Sequence, residues 1–349
     1  MPARWSGSTG ARYRAKMTPK RPASSLAERW TTIDGVDVFY RESPDRPSST
    51  ITPHRPDPLA EPDLLEEPDS LAEFDPLAEP DPLAELYDSV PDAPAMLHLH
   101  GFGLSGRYLL PTAERLASEF HTFVPDLPGF GRSGKPRDPL DVPDLAHAAA
   151  RFLDDRHVES ATLVGNSMGC PVICEFAYRH PDRIDRAVLV SPAGGLHNQP
   201  LRRAVGQLAR DGRREPPRMI TVATPDYLRF GVPSTVKMFR ALTQYPSLDR
   251  LLALNIPTLV VIGNRDPLMP GPTRIREIAG QTDNHVLVVL IEGAAHAINF
   301  SHPGELAHVI RLFMADQPII DDPHSPGHSR AFEIHRGTLH PPVRDDADQ

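Results

Sequence analysis

The chain of 349 residues has a formal net charge of −9, and 40% of its residues are hydrophobic. This length and hydrophobic content allow one large or two ordinary domains with a real core, which excludes a wholly disordered chain. No apolar run approaches the length of a transmembrane helix, and we expect neither a membrane nor a nucleic acid as a partner.

The first 30 residues are predicted to form a flexible basic arm. They lack the apolar stretch and the small-residue cleavage site of a secretory signal, so a cytoplasmic protein is expected. Met17 offers an alternative start. The arm holds seven basic side chains: Arg4, Arg12, Arg14, Lys16, Lys20, Arg21 and Arg29. The folded domain is predicted over residues 31–317.

Residues 44–92 are predicted to be a low-complexity insertion between a strand at 36–40 and a strand at 95–99. Residues 56–85 form five imperfect hexads of the type Pro-Asp-Pro-Leu-Ala-Glu. Twelve acidic and no basic side chains occur from Asp57 to Asp88, so the net charge would be +3 without this segment. Repeated proline blocks a continuous helix and the like charges repel, which favours an extended, solvated chain. We interpret the insertion as a repeat expanded in a surface hairpin connection, with a docking segment for a basic partner as the alternative.

Two glycine-rich loops follow strands in the next part of the chain. The strand at 95–99 leads into His100-Gly101-Phe102-Gly103, and a short strand from Thr122 leads into the turn at 126–134. We interpret His100 and Asp126 as side chains that brace the loop backbone, with Arg132 as the candidate partner of Asp126.

A serine stands between two glycines after the apolar run 161–164, in Gly165-Asn166-Ser167-Met168-Gly169. Glycines at these positions allow a strand to turn sharply into a helix, so that the serine projects from the turn; this pattern is typical of a nucleophile elbow. The amide of Met168 and the helix dipole would then stabilise an oxyanion. Cys170 and Cys174 lie one turn apart on the predicted helix and are interpreted as small core side chains.

A candidate acid and a candidate base follow two later strands. The apolar run 257–263 ends shortly before Asp266, and the run 286–291 ends shortly before His296. The order serine, aspartate, histidine is the one expected of α/β-hydrolases and differs from the orders of the trypsin-like and subtilisin-like folds. Helix-like segments alternate with the strands, as a mostly parallel sheet requires, at 110–120, 141–157, 168–179, 273–281 and 303–315.

Together these segments resemble the α/β-hydrolase superfamily of lid-bearing serine hydrolases over residues 31–317, apart from the insertion. The resemblance rests on five motifs: His-Gly-Phe-Gly, Asp-Leu-Pro-Gly-Phe-Gly-Arg-Ser-Gly, Gly-Asn-Ser-Met-Gly, Gly-Asn-Arg-Asp-Pro and Gly-Ala-Ala-His. It implies an α/β fold with a mostly parallel central sheet flanked by helices, and a helical lid. It also implies a catalytic triad of Ser167, Asp266 and His296, an oxyanion hole formed by the amides of Phe102 and Met168, and no metal or organic cofactor.

Residues 195–252 are predicted to be the lid, a series of short helices between the strands at 186–190 and 258–262. Its apolar side chains either line a binding site or anchor the lid: Met219, Tyr227, Phe230, Met238, Phe239 and Tyr245. Its arginines are interpreted as a solvated face, with a carboxylate-binding arginine as the alternative: Arg202, Arg203, Arg210, Arg213, Arg214 and Arg218. Residues 318–349 are predicted to be a disordered tail.

The sequence therefore predicts a serine hydrolase that acts on a small-molecule substrate, a carboxylic ester or lactone of a small to medium apolar acid, through an acyl-enzyme. A C–C bond hydrolase of ring-cleavage products is one alternative, because the elbow Asn-Ser-Met-Gly resembles that group although the loop at 101–107 lacks its longer glycine and proline pattern. A non-catalytic binding protein of the same fold is another. A third is an interaction protein that works through the acidic repeat. The oligomeric state stays open.

Overall fold

The computed structural model describes residues 26–44, 93–192, 198–280, 286–319 and 330–336. Within these ranges nine strands form one sheet in the order β1-β2-β4-β3-β5-β6-β7-β8-β9. The strands are β1 (Ala27–Ile33), β2 (Val36–Glu42), β3 (Ala95–Leu99), β4 (His121–Pro125), β5 (Ala161–Asn166), β6 (Ile184–Val190), β7 (Thr258–Gly263), β8 (Val286–Ile291) and β9 (Ala331–Arg336). Strands β3 to β8 are mutually parallel, whereas β1, β2 and β9 join them in antiparallel pairs.

Helices cover both faces of this sheet. They are α1 (Leu110–Leu116), α2 (Val142–Asp155), α3 (Gly169–Arg179), α4 (Leu201–Asp211), α5 (Pro217–Phe230), α6 (Val232–Gln244), α7 (Ser247–Leu252), α8 (Pro272–Ala279), α9 (Ile298–Ser301) and α10 (Pro303–Met314). Along β7, Val260 packs with the core cluster that holds α2, α3 and α8, while Leu259 packs with the cluster that holds α1 and α10. Because both faces of the parallel strands are covered, the strands read as continuous apolar runs. The prediction of a mostly parallel sheet flanked by helices is confirmed.

The edges of the domain differ from the sequence prediction. Strand β1 begins at Ala27, inside the segment predicted to be a flexible arm, because residues 27–33 pair with β2 along their whole length. Strand β9 lies inside the predicted tail and pairs with β8 at the other edge of the sheet. The rest of the predicted arm up to residue 25, and residues 320–329 and 337–349 of the tail, lie outside the described residues.

The connection that contains the acidic repeat is not a hairpin. Strand β4 lies between β2 and β3 in the sheet, so the chain from β2 to β3 passes across one strand. Residues 45–92 of the predicted insertion lie outside the described part of the chain.

Four helices, α4 to α7, lie between β6 and β7, in the range where a helical lid was predicted. Residues 193–197, where that segment starts, are outside the described ranges. None of the helices in the described residues is both long enough and apolar enough to cross a membrane.

Candidate active site

Ser167 occupies a sharp turn between β5 and α3. Its φ is 56°, in the left-handed region that a residue with a side chain adopts only at an energetic cost. A Cβ added to Gly165 would lie 2.7 Å from the carbonyl carbon of Gly169, and one added to Gly169 would collide with the carbonyl oxygen of Leu99. The turn therefore depends on glycine at both positions, which is typical of a nucleophile elbow.

Asn166 ties this turn to two neighbouring segments. Its side-chain amide donates to the carbonyl of Val190, at the end of β6, and to the carbonyl of His296, each at 3.1 Å. The backbone N–H of Ser167 also donates to Val190, at 3.0 Å. These bonds fix the serine turn against the loop that carries the predicted base.

Asp266 and His296 form a buried pair in the loops after β7 and β8. The Nδ1 atom of His296 lies 2.7 Å from Oδ2 of Asp266, and the backbone N–H of Leu268 donates to Oδ1 at 2.8 Å. When the Nδ1–H of the neutral ring donates to the Asp266 carboxylate, the lone pair of the ring is on Nε2. That atom is buried and has no hydrogen-bond partner among the described residues, Ser167 included.

Ser167 and His296 line the same cavity, whose volume is about 480 Å³. The three residues of the predicted triad therefore stand at the C-terminal ends of β5, β7 and β8, the first and the last facing one space. Phe102 and Met168, the residues predicted to supply the oxyanion amides, line the same cavity.

The charges around His296 favour its protonated form. Burial would lower the pKa of His296, but the carboxylates of Asp266, Asp211 and Glu215 outweigh burial and raise the pKa to about 9. The effect on Asp266 is opposite: burial opposes its charged form, yet the adjacent imidazolium keeps the pKa of this carboxyl below its usual value. The three carboxylates therefore favour the protonated imidazole, whose Nε2 has no lone pair to accept a proton.

Tyr108, a residue that the sequence did not single out, links the two loops of the site. Its hydroxyl accepts a hydrogen bond from the backbone N–H of Gly101 and donates one to Oδ1 of Asn166, both at 2.7 Å. The side chain is fully buried. A Cβ on Gly101 would lie 2.9 Å from this hydroxyl and 3.2 Å from Cβ of Ser167, so the loop approaches the serine turn as closely as a glycine allows.

His100 braces the backbone, as its sequence context indicated. The N–H of Leu127 donates to Nε2 of His100 at 2.9 Å, which places the ring proton on Nδ1, 3.0 Å from the carbonyl of Gly101. Burial lowers the pKa of His100, so the ring stays neutral in this role. Its contacts leave no nitrogen for a substrate.

Asp126 also braces the loop backbone, and the predicted partner Arg132 bonds to it through its backbone N–H. The carboxylate accepts from the N–H groups of Gly106 and Arg132 at 2.9 and 2.8 Å. Its ion pair is with Arg41 on β2, at 3.3 Å. The guanidinium of Arg132 instead contacts Glu28 on β1, at 2.8 Å. Arg132 is therefore a partner of Asp126 through its backbone N–H, while β1 offers its guanidinium another carboxylate.

Helices α4 to α6 of the predicted lid supply much of the cavity wall. Of the apolar lid side chains predicted to line a site or anchor the lid, Met219, Tyr227 and Phe239 line the cavity. Phe230 stacks on Phe130, with ring centroids 4.6 Å apart, and so anchors the lid. The six lid arginines named above are all exposed, in agreement with a solvated face.

Two acidic side chains of the lid, Asp211 at the end of α4 and Glu215 shortly after it, also line the cavity. Both are buried, and they accept hydrogen bonds from the backbone N–H groups of His296 and Ala297, at 3.0 and 2.6 Å. No local sequence pattern predicts them, because they lie among exposed arginines and about eighty residues from the histidine.

Cys170 and Cys174 are free and buried. The thiol of Cys170 lies 3.3 Å from the carbonyl of Gly165. Burial raises the pKa of both thiols, which disfavours the reactive thiolate. The interpretation of both as core side chains agrees with these contacts.

The model of the alpha/beta hydrolase family matches residues 96–309. A protein of Mycobacterium tuberculosis, described as uncharacterized, is 39% identical over 103 residues, and the match covers 30% of this chain and 30% of that protein. A poly(3-hydroxyalkanoate) depolymerase of Ectopseudomonas oleovorans is 26% identical over 247 residues, which cover 65% of this chain and 86% of the depolymerase. Among solved structures, an esterase from Thermogutta terrifontis superposes with a TM-score of 0.56 at 24% identity, over 64% of this chain and 90% of the esterase.

Proposed function

The chain belongs to the alpha/beta hydrolase family, and we propose that it is a serine hydrolase that cleaves a carboxylic ester or lactone of a small to medium apolar acid through an acyl-enzyme. One observation carries the proposal: Ser167, held at φ 56° at the start of α3, faces the same cavity as His296, whose Nδ1 lies 2.7 Å from Asp266. This arrangement supplies a nucleophile, a base and a carboxylate that orients the base.

In the acylation step, Nε2 of His296 takes the proton of the Ser167 hydroxyl while the oxygen attacks the acyl carbonyl. The negative charge that develops on the carbonyl oxygen is stabilised by the amides of Phe102 and Met168 and by the N-terminus of α3. Collapse of the tetrahedral intermediate expels the alcohol, which receives the proton from His296. Water then repeats the sequence on the acyl-enzyme and releases the acid.

The walls of the cavity support an apolar acyl group. Side chains such as Leu104, Met219 and Phe239 line a space of about 480 Å³, which is within the range of small-molecule sites. The ester bond is also supported by the depolymerase from Ectopseudomonas oleovorans, which is named for a polyester. No metal or organic cofactor takes part in the proposed reaction, because the triad and the two amides supply each step.

Covalent labelling with a fluorophosphonate, read by mass spectrometry, tests the nucleophile. Wild-type protein should be labelled on Ser167, and Ser167→Ala should lose the label and lower ester turnover by about four orders of magnitude or more. Cys170→Ala is the matched control, because it removes a buried thiol three residues away that has no role in the proposal. This variant should be labelled as the wild type is.

An aryl-ester series of graded acyl length then tests the bond and the acyl group. Turnover that rises to a maximum at small to medium apolar acyl groups supports the proposal. Turnover confined to vinylogous 1,5-diketones, with esters untouched, would favour the C–C hydrolase alternative. A protein that is neither labelled nor active on any of these compounds would be a non-catalytic member of the fold.

A further inference from the structure

The lid contacts the histidine loop through two carboxylates. Oδ1 of Asp211 accepts from the N–H of His296 at 3.0 Å, and Oε1 of Glu215 accepts from the N–H of Ala297 at 2.6 Å. Asp211 is 7% exposed and Glu215 is 9% exposed. These two peptide N–H groups precede the short helix α9, and the lid satisfies both of them with charged acceptors.

Ordinary capping of a helix does not explain why these acceptors are acidic and buried. Burial of a carboxylate costs free energy that a neutral acceptor would avoid. The other oxygen of Glu215, Oε2, is buried without a hydrogen-bond partner among the described residues. Burial, and next the charge of Asp211, raise the pKa of Glu215 to about 7, and burial raises that of Asp211. The lid thus keeps two destabilised carboxyls beside the histidine.

We propose that Asp211 and Glu215 are positioning residues for His296, so that the seating of the lid helps to set this histidine as the base for Ser167. The inference rests on the proposed function. Asp266 holds the ring through Nδ1, and the two lid carboxylates hold the backbone from which the ring projects. If the C-terminal end of α4 moves away from the histidine loop, both hydrogen bonds to the backbone are broken. The same movement takes two carboxylates away from the imidazole.

The charged and titratable groups around His296 come from several elements. Asp266 faces it from the loop after β7, and Asp211 and Glu215 face it from the lid. Arg214 lies beside Asp211, lowers the pKa of that carboxyl and donates to the carbonyl of Arg265. The hydroxyls of Tyr108 and Tyr227 also interact with this cluster. Among these groups the lid carboxylates are the ones that a lid movement would take away.

The test is the rate of fluorophosphonate labelling of Ser167 as a function of pH, since this reaction needs a neutral His296 but no knowledge of the natural substrate. The variants Asp211→Asn and Glu215→Gln keep an acceptor oxygen and remove the charge. We expect each to shift the midpoint of the labelling profile to lower pH by about half a unit to one unit, with the rate at high pH within about threefold of wild type.

The variants Asp211→Ala and Glu215→Ala remove the acceptor as well. Because the histidine backbone is then free to move, we expect the high-pH rate to fall by about tenfold or more, and the amide variants to restore it. Asp249→Asn is the matched control, since it removes an exposed acidic side chain from α7 of the lid and should leave the midpoint and the rate unchanged. Thermal unfolding identifies any variant that does not fold, in which case the corresponding change at the other carboxylate carries the test.

Alanine variants that keep the wild-type rate at high pH overturn the inference, and so do amide variants that both keep the wild-type midpoint. Failure of the proposed function looks different, because wild-type Ser167 would then remain unlabelled at every pH.

Discussion

At the scale of single residues, the site depends on places where a side chain is absent. Gly169 sits two residues after Ser167 on the first turn of α3, and a Cβ there would collide with the carbonyl of Leu99 on β3. The strained φ of Ser167 persists because this packing leaves the turn no alternative. Stability and nucleophile geometry are therefore coupled through one backbone contact.

Gly169→Ala should lower both stability and activity. The added methyl group overpacks the contact between α3 and β3, and we expect the free energy of unfolding to fall by about 1–3 kcal/mol. Urea denaturation measures this. Gly206→Ala is the matched control: Gly206 lies within α4, and apart from its chain neighbours and the backbone of its own helix no described atom lies within 4 Å of the added methyl, so it should stabilise the protein by about 0.5–1 kcal/mol. Equal effects of the two substitutions would contradict the role given to Gly169.

The pH dependence of the wild-type protein follows from His296. Its pKa is raised to about 9, and the cationic ring cannot accept the proton of Ser167, so labelling and ester turnover should rise with pH and level off only above about pH 9. A chelator should leave both rates unchanged. Stopped assays in buffers of constant ionic strength measure the profile. A plateau already reached at pH 6 would show that the neutral ring dominates in the folded protein.

Single residues also separate what the sequence could predict from what it could not. Ser167, Asp266 and His296 stand in short motifs at strand ends, so local pattern and chain order were enough to propose them. Tyr108, Asp211 and Glu215 have no such motif. Tyr108 acts through one hydroxyl on two loops, and the carboxylates lie about eighty residues from the backbone that they bind. Contacts of this kind join segments that are distant in the chain, and they depend on the tertiary packing, which no local pattern encodes.

At the scale of elements, buried acidic side chains of the predicted lid bond to the glycine-rich loop and to the loop that carries His296. Besides Asp211 and Glu215 on the histidine loop, Asp226 of α5 accepts from the N–H and the hydroxyl of Ser105, at 2.9 and 2.6 Å, next to the glycine-rich loop. The far end of the lid is tied to α3, where Glu175 accepts from Tyr245 at 2.6 Å. By contrast with these buried acids, the six arginines of the predicted solvated face are exposed.

Asp226→Ala should loosen the lid at the glycine-rich loop. Ser105 would be left with a buried N–H and hydroxyl lacking this acceptor, and we expect a loss of about 1–3 kcal/mol in the free energy of unfolding. Hydrogen exchange should show faster opening of α5. Thr221→Ala on the same helix is the control. The Thr221 hydroxyl donates to the carbonyl of Arg218 in the first turn of α5, so its loss should not affect the contact between α5 and the glycine-rich loop. Unchanged exchange in Asp226→Ala would refute the anchoring role.

The central strands could be predicted from the sequence, whereas the edge strand β9 could not. The apolar runs of β5, β7 and β8 were predicted with bounds close to those observed, because strands covered on both faces carry a strong signal. The residues of β9 are only half-buried, follow a polar segment and gave no such signal. Their strand character comes from the partner edge on β8.

Removal of β9 should therefore destabilise the sheet. A chain ending at residue 329 would expose the edge of β8 and lose the contacts of Phe332 and Ile334 with the core cluster. We expect a decrease of about 2 kcal/mol or more in the free energy of unfolding relative to a chain ending at Arg336, which keeps β9. Equal stability of the two truncated chains would mean that β9 contributes nothing to the cooperative core.

At the scale of the whole molecule, the candidate active site and the insertion lie at opposite ends of the parallel strands. The loops that carry Ser167, Asp266 and His296 follow the C-terminal ends of these strands. The segment 45–92 leaves and enters the described chain at the N-terminal ends: Ser43, after β2, bonds to Thr122, and Pro94, before β3, accepts from His121 at the start of β4. The sheet thus separates the two ends of this segment from the cavity and the lid.

Excision of residues 45–92 should leave the hydrolase intact. The ends to be joined lie on either side of β4, about 10 Å apart for two strand spacings, so a linker of about six residues can span them. The prediction that residues 44–92 are solvated rests on their proline and acidic composition, which cannot bury enough apolar surface to offset chain entropy. We therefore expect the excised protein to have a free energy of unfolding within about 1 kcal/mol of that of the full chain and an unchanged rate of Ser167 labelling.

A deletion of the same segment together with β2 is the matched control. It should abolish folding, because Arg41 of β2 pairs with the buried Asp126. A substantial loss of stability or labelling after excision of residues 45–92 alone would show that the acidic repeat packs on the folded domain. The interpretation of the repeat as a tolerated expansion would then be wrong.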